Sequence, residues 1–106
     1  MNIVGITACP TGIAHTYITK KKLIQAAESR GHHCRIETQG TIGVEDELTP
    51  QEIADADVVI LAVDVKIHGE ERFKGKPVIR ITTETVMQNA LGLIQKVESL
   101  IQKNRR

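Results

Sequence analysis

The sequence predicts an α/β fold: a single three-layer domain in which an open, mostly parallel sheet of about four strands carries helices on both faces. Three observations predict it. Strand-like apolar runs alternate with helix-like amphipathic ones along all 106 residues. The run Val58–Val63 is apolar without alternation, which suits a strand covered on both faces. Tyr17 and Phe73 are the only aromatic residues, so the core is built from Ile, Val, Leu and Ala packed between layers.

Asn2–Thr7 reads as a buried strand. Ile13–Arg30 reads as a helix, with Ile13, Tyr17, Ile24 and Ala27 at helical spacing and Gly31 as its C-terminal cap. Cys34–Glu37 reads as a short strand, and 39–48 as a loop holding Gly40, Gly43 and the acidic run Glu45-Asp46-Glu47. Thr49-Pro50-Gln51-Glu52 is a helix start: Thr49 as N-cap, Pro50 in the first turn, Glu52 closing a capping box. That helix ends near Ala56, and the Val58–Val63 strand follows. Residues 64–76 are polar, contain Gly69 and Gly75, and read as a loop before a last short strand, 77–81. Helix 84–103 closes the chain, with Val86, Ala90, Leu93, Val97, Leu100 and Ile101 on one stripe and Lys103, Arg105 and Arg106 where the helix dipole favours cations.

The composition narrows the function classes. A formal net charge of +1 points to neither nucleic acid nor an anionic membrane surface. The longest apolar run is far below the ~20 residues of a membrane helix, and the first residues lack the basic start of a signal peptide. Two cysteines without such a leader fit a reducing cytosol, where no disulfide is expected.

The chemistry concentrates at Cys9, in Thr7-Ala8-Cys9-Pro10-Thr11-Gly12-Ile13-Ala14-His15-Thr16, after a strand and before a helix. Ligands of open α/β sheets bind at such carboxyl edges. The free N–H groups and dipole of a helix start favour negative charge, whether a thiolate or a phosphate. Pro10 fixes its own φ, and Gly12 permits a tight turn close to a ligand. Thr11 and Thr16 add hydroxyls, and Ile13 and Ala14 add main-chain donors, so Pro10 to Thr16 form a candidate phosphate-binding loop. His15 either bonds a phosphoryl group or caps locally. The plain alternative for Cys9 is a small buried residue at a turn.

A low-molecular-weight cysteine phosphatase, or an arsenate-reductase-like enzyme, is the second reading. That pattern wants Arg six positions after the nucleophile, where this chain has His15, and a general acid, for which Asp64 is the candidate. A thiophosphate lacking that Arg resists hydrolysis, as a phosphate carrier requires. The loop lacks a Rossmann or Walker signature, which argues against a nucleotide-binding module.

The segment 7–16 resembles the phosphocysteine loop of the fructose-family enzyme IIB components of the bacterial phosphoenolpyruvate:sugar phosphotransferase system. The similarity continues through Glu37-Thr38-Gln39-Gly40, Gly43 to Ala56, Ala56 to Ala62, Glu71-Arg72-Phe73 and Gly75-Lys76-Pro77-Val78, covering nearly the whole chain. It departs from the family pattern at Lys66-Ile67-His68-Gly69-Glu70. The resemblance implies one enzyme IIB domain over residues 1–106, phosphorylated on Cys9 by a phosphohistidine of enzyme IIA. The domain then passes phosphate to a sugar, fructose or fructose-like, held by membrane enzyme IIC. It implies a cytoplasmic protein, peripherally associated with that permease, needing no metal or other cofactor. Gln39, Asp64, Arg72 and Phe73 are candidate partner or loop contacts; for Arg72 the plain alternative is pairing with a carboxylate such as Glu71, and for Phe73 packing into the core.

Other groups carry bland readings. His32-His33-Cys34 lacks the further ligands of a zinc site, and Cys34 reads as a buried strand residue. The acidic run 45–47 reads as a solvated loop. Lys20-Lys21-Lys22 reads as an exposed helix face able to steer an acidic partner.

Overall fold

The computed structural model describes residues 1–9, 13–40 and 43–104, without the side chains of 13–15 and 103–104. The strands are β1 (Asn2–Ala8), β2 (His33–Gly40), β3 (Gly43–Glu45), β4 (Val58–Val63) and β5 (Val78–Ile81). The helices are α1 (Ile13–Ser29), α2 (Pro50–Asp55) and α3 (Thr83–Asn104), with a 3-10 turn at Glu70–Phe73. The sheet order is β3-β2-β1-β4-β5. Four strands are parallel, as expected, and β3 adds a fifth, antiparallel to β2.

Strand alternation sorts the core into two layers. Ile3, Cys34, Ile36, Val58, Ile60 and Ala62 face one way and meet Leu23, Ala26 and Ala27 of α1 and Val86, Ile94 and Val97 of α3. Val4, Ile6, Ala8, Val59, Leu61 and Val63 face the other way, under Ile53 of α2, Leu48, Ile67 and Phe73. Both faces of β1 and β4 are thus covered, as their unbroken apolar runs require. Gly5 lies where the strands leave no room: an added Cβ would sit 2.3 Å from the Ile60 carbonyl oxygen.

Local signals set several boundaries. Thr49 accepts from the Glu52 N–H at 3.1 Å, and the Glu52 carboxylate accepts from the Thr49 N–H at 2.9 Å, closing the expected capping box. Gly31, at φ 79°, ends α1, with the N–H of His32 bonded to the Ala27 carbonyl.

Four expectations need correction. β2 runs on to Gly40 rather than ending at Glu37, and β3 lies inside the expected 39–48 loop. The inward face of α1 is Thr16, Thr19, Leu23, Ala26 and Ala27, whereas Tyr17 is exposed and its hydroxyl donates to Glu45. On α3, Ile94 is fully buried and Leu100 is exposed. With Leu93 and Ile94 both inward, the buried stripe is centred between their columns, and Leu100 falls outside it. Finally, α3 kinks at Asn89 (φ −160°, ψ 74°), whose side-chain oxygen accepts the Gly92 N–H at 2.9 Å. Arg105, Arg106 and the side chain of Lys103 lie outside the described residues.

Candidate functional site

β1 connects to β2 on one side and borders β4 on the other, so the chain's course reverses direction beside the carboxyl end of β1. In open α/β sheets that crevice is the ligand site. Cys9 is the first residue beyond β1, and α1 begins at Ile13. Cys9 is 8% exposed as a residue. Thr7, one turn of pleat earlier, donates its hydroxyl to the Thr16 carbonyl at 3.4 Å and ties the strand end to the first turn of α1. Thr16 is buried. Pro10, Thr11, Gly12 and the side chains of Ile13, Ala14 and His15 lie outside the described residues.

Beside this turn, on the face opposite α1, stands a polar network. Glu37, 1% exposed, takes both Arg72 terminal nitrogens on its two oxygens, at 2.9 and 3.0 Å. It also accepts from the Leu48 N–H at 3.0 Å and the Gln39 amide at 2.8 Å. Burial pushes this carboxyl up, but the bonds from Arg72, Gln39 and Leu48 outweigh it and hold it below the ordinary range. Arg72 therefore pairs with Glu37, not Glu71. Its Nε donates to the Gly69 carbonyl at 2.7 Å, and its guanidinium lies 5.2 Å from the Phe73 ring centre. Gly69, at φ 78°, leaves space that a Cβ would take from that guanidinium. Phe73 is 2% exposed and packs into the core with Ala8, Ile67 and Val63, anchoring the turn.

Gln39 completes the network. Its amide donates to the His68 carbonyl at 2.8 Å and accepts the His68 N–H at 2.9 Å, a two-point pairing with main chain. Glu37, Gln39, Glu47, His68 and Arg72 line a cleft of about 190 Å³. Glu37 as the centre of this network was missed in the sequence; its place in Glu37-Thr38-Gln39-Gly40 was the available signal.

Asp64 lies just past the carboxyl end of β4. Its carboxylate accepts from the N–H and hydroxyl of Thr83, at the start of α3, and its own N–H donates to the Ala8 carbonyl at 2.9 Å. It positions α3 against the end of β1. Lys20 pairs with Asp46, just after β3. His32 bonds Glu98 at the far end of the sheet, away from Cys9. Among the described residues no group of three His, Cys, Asp or Glu side chains is arranged for a metal ion, and no helix is long and apolar enough to cross a membrane.

This arrangement, a cysteine in the switch-point crevice of a parallel sheet with a helix starting behind it, places the chain among small open-sheet α/β proteins. Comparison with known proteins narrows this class. The family model described as "PTS system, Lactose/Cellobiose specific IIB subunit" matches residues 4–96. "PTS system fructose-like EIIB component 2" of Escherichia coli (strain K12) is 43% identical over 97 residues, spanning 92% of each chain. Component 1 of the same organism is 38% identical over 99 residues, covering 93% of this chain and 92% of that one. The solution structure of an enzyme IIB subunit from Escherichia coli K12 superposes with TM-score 0.92 at 36% identity, over 99% of this chain and 97% of that one. A domain of the fructose-specific IIABC component of Borrelia burgdorferi gives TM-score 0.84 at 49% identity, over 89% of each. The chain belongs to the enzyme IIB components of the phosphotransferase system, in the fructose-type branch.

Proposed function

We propose that Cys9 is the phosphoryl carrier, accepting phosphate from a phosphohistidine of enzyme IIA and passing it to a fructose-like sugar bound by membrane enzyme IIC. The observation that carries this reading is the position of Cys9. It ends the central strand at the switch point of the sheet, four residues before α1, in a chain of the enzyme IIB family. In the first step the Cys9 thiolate attacks phosphorus in line with the departing imidazole. The S–P bond forms, the P–N bond breaks and the nitrogen keeps its electron pair. In the second, the sugar hydroxyl attacks, the O–P bond forms and the thiolate leaves as the hydroxyl proton is lost to solvent or base. Transfer of this kind asks mainly for positioning and charge stabilisation.

Pro10, Thr11, Gly12, Ile13, Ala14, His15 and Thr16 form the phosphate cradle of this scheme, the main-chain donors holding the three equatorial oxygens. The domain works at the cytoplasmic side of its permease, and the single domain spans residues 1–106. The phosphatase alternative is the weaker one, because the Asp64 carboxylate is engaged by Thr83 rather than held ready to protonate a leaving group. Incubation with phosphoenolpyruvate, the general phosphocarrier proteins and a fructose-type enzyme IIA tests the proposal by intact mass. A gain of about 80 Da, absent in Cys9→Ala, is expected from a thiophosphate ester. Full phosphorylation of Cys9→Ala would refute it.

A further inference from the structure

The segment between β4 and the 3-10 turn is bound at both ends to the residues around Cys9. At one end the Asp64 N–H donates to the carbonyl of Ala8, the residue before Cys9. At the other end the His68 main chain pairs with the side chain of Gln39. Gln39 is itself the β2 register partner of Ala8. Because β1 lies between β2 and β4, a chain running from the end of β4 to the end of β2 must cross the end of β1. Residues 65–67 therefore arch across the strand end that carries Cys9. Ile67 is 6% exposed and packs in the core layer with Ala8, Val63 and Phe73, so the arch lies on the face opposite α1. Cys9 sits between two walls, the start of α1 and this arch.

The anchoring of the arch is almost wholly main chain plus Ile67. Val65, Lys66 and His68 are left exposed, Val65 at 40%. Lys66 makes no ion pair among the described residues. Main-chain anchoring fixes the height of the arch without fixing its side chains. The exposed set offers one apolar side chain, Val65, and one cation, Lys66, with the exposed Asp64 before it and Glu47 in the cleft beside His68; Glu45 and Asp46, on the α1 side, are taken by Tyr17 and Lys20.

We infer that the arch 65–68 is the donor-recognition element of the domain. Its exposed Val65, Lys66 and His68 fit a phosphohistidine protein whose surface beside the phosphorylated residue is apolar and acidic. The inference rests on the phosphocarrier reading above. The arch contacts the protein that brings the phosphoryl group, and Gln39 is the positioning residue that holds it at the level of Cys9. Exposed charges of this kind act mainly on encounter and on partner choice.

The test is steady-state phosphorylation of Cys9 by a purified fructose-type enzyme IIA charged from phosphoenolpyruvate, with enzyme IIA varied and salt varied. Lys66→Glu is expected to raise KM for enzyme IIA by about tenfold, the size of one reversed interfacial charge, while kcat stays within about twofold. Its KM is also expected to depend less on salt than that of the wild type. Lys66→Ala, a milder change at the same exposed position, is expected to give an intermediate KM. Unchanged KM and salt dependence in both variants would overturn the inference while wild-type phosphorylation left the carrier reading standing. No phosphorylation of the wild type would overturn the carrier reading itself.

Discussion

Cys9 and Cys34 have the same exposure, 8%, yet lie at opposite ends of one sheet, Cys34 within β2 and Cys9 just beyond the neighbouring β1. Cys34 is opposite Ile3 at the amino end of β2, inside the layer formed with α1 and α3. Burial, with a contribution from Glu28, pushes its thiol up to about 12. Cys9 is past the carboxyl end of β1, in the crevice where α1 starts. Each end also has an arginine–carboxylate cluster. At the carboxyl end Arg72 meets a buried Glu37 that Gln39 and Leu48 complete. At the amino end Arg30 and His32 meet Glu98 and join α1 to α3 at the surface. The same residue types thus serve two purposes. At one end they close the fold, and at the other they hold a loop across a thiol. Topology, not side-chain chemistry or exposure, makes the difference.

The sharpest way to break this comparison is thiol reactivity. With a value of about 12, Cys34 is ionised to roughly one part in ten thousand at pH 8, about a thousandfold less than an ordinary exposed thiol. Iodoacetamide on the folded protein is expected to label Cys9 and spare Cys34, as read by peptide mass, and to label both in denaturant. Equal labelling rates in the folded protein would dissolve the distinction between the two ends.

The next largest effect concerns the buried pair. Arg72→Ala leaves the Glu37 carboxylate buried without its cation and is expected to destabilise by about 3 kcal/mol or more, measured by urea unfolding at neutral pH. The sign with pH follows from the lowered Glu37 value. A carboxyl held down in the fold contributes stability above its unfolded pKa and loses it as pH falls through the folded one. The gap between wild type and Arg72→Ala is therefore expected to narrow in acid. A gap that widened there would mean that the pair is not the source of the loss.

Gly5→Ala comes third. Its methyl would meet the Ile60 carbonyl, which belongs to strand backbone and cannot swing aside. Overpacking of this kind costs about 1–3 kcal/mol. Because Gly5 is midway between the two ends, the loss is expected in global unfolding, with thiol selectivity unchanged.

The elements ruled by local signals were legible in the sequence, and those ruled by distant partners were not. The start of α2 was legible because Thr49, Pro50 and Glu52 complete their own cap. The central strands β1 and β4 were legible because burial on both faces makes them uniformly apolar. The end of β2 was not: Glu37 and Gln39 are polar, and what buries them is Arg72 and His68, about thirty residues away in sequence. β3 has three residues and one pairing partner, too little to impose a pattern. At the site, the place of Cys9 between the end of β1 and the start of α1 was legible from residue order alone. Arg72 and Gln39 were named there, but their joint role required the fold, since neither spacing nor polarity reveals that one holds Glu37 and the other the main chain of His68.

The smallest expected effect lies at the amino end and tests whether its cluster is the lesser of the two. Glu98 is pulled down to about 2 by its bonds to Arg30 and His32, yet it is only half-buried and Arg30 is exposed, so water and salt screen the pair. Glu98→Gln is therefore expected to lower Tm less than Arg72→Ala does. Its deficit is present above the ordinary carboxylate range, where only the folded and unfolded carboxylates of the wild type are both ionised. As pH falls from about 5 towards 2, the unfolded wild-type carboxyl takes up its proton first, and the advantage of the folded ion pair drains away. Thermal scans of both proteins at stepped pH are thus expected to converge near pH 2, with Glu37 cancelling from the difference because both proteins keep it. A Glu98→Gln deficit as large as that of Arg72→Ala, or one that persists unchanged through acid, would show that the amino-end cluster matters to the fold as much as the network beside Cys9.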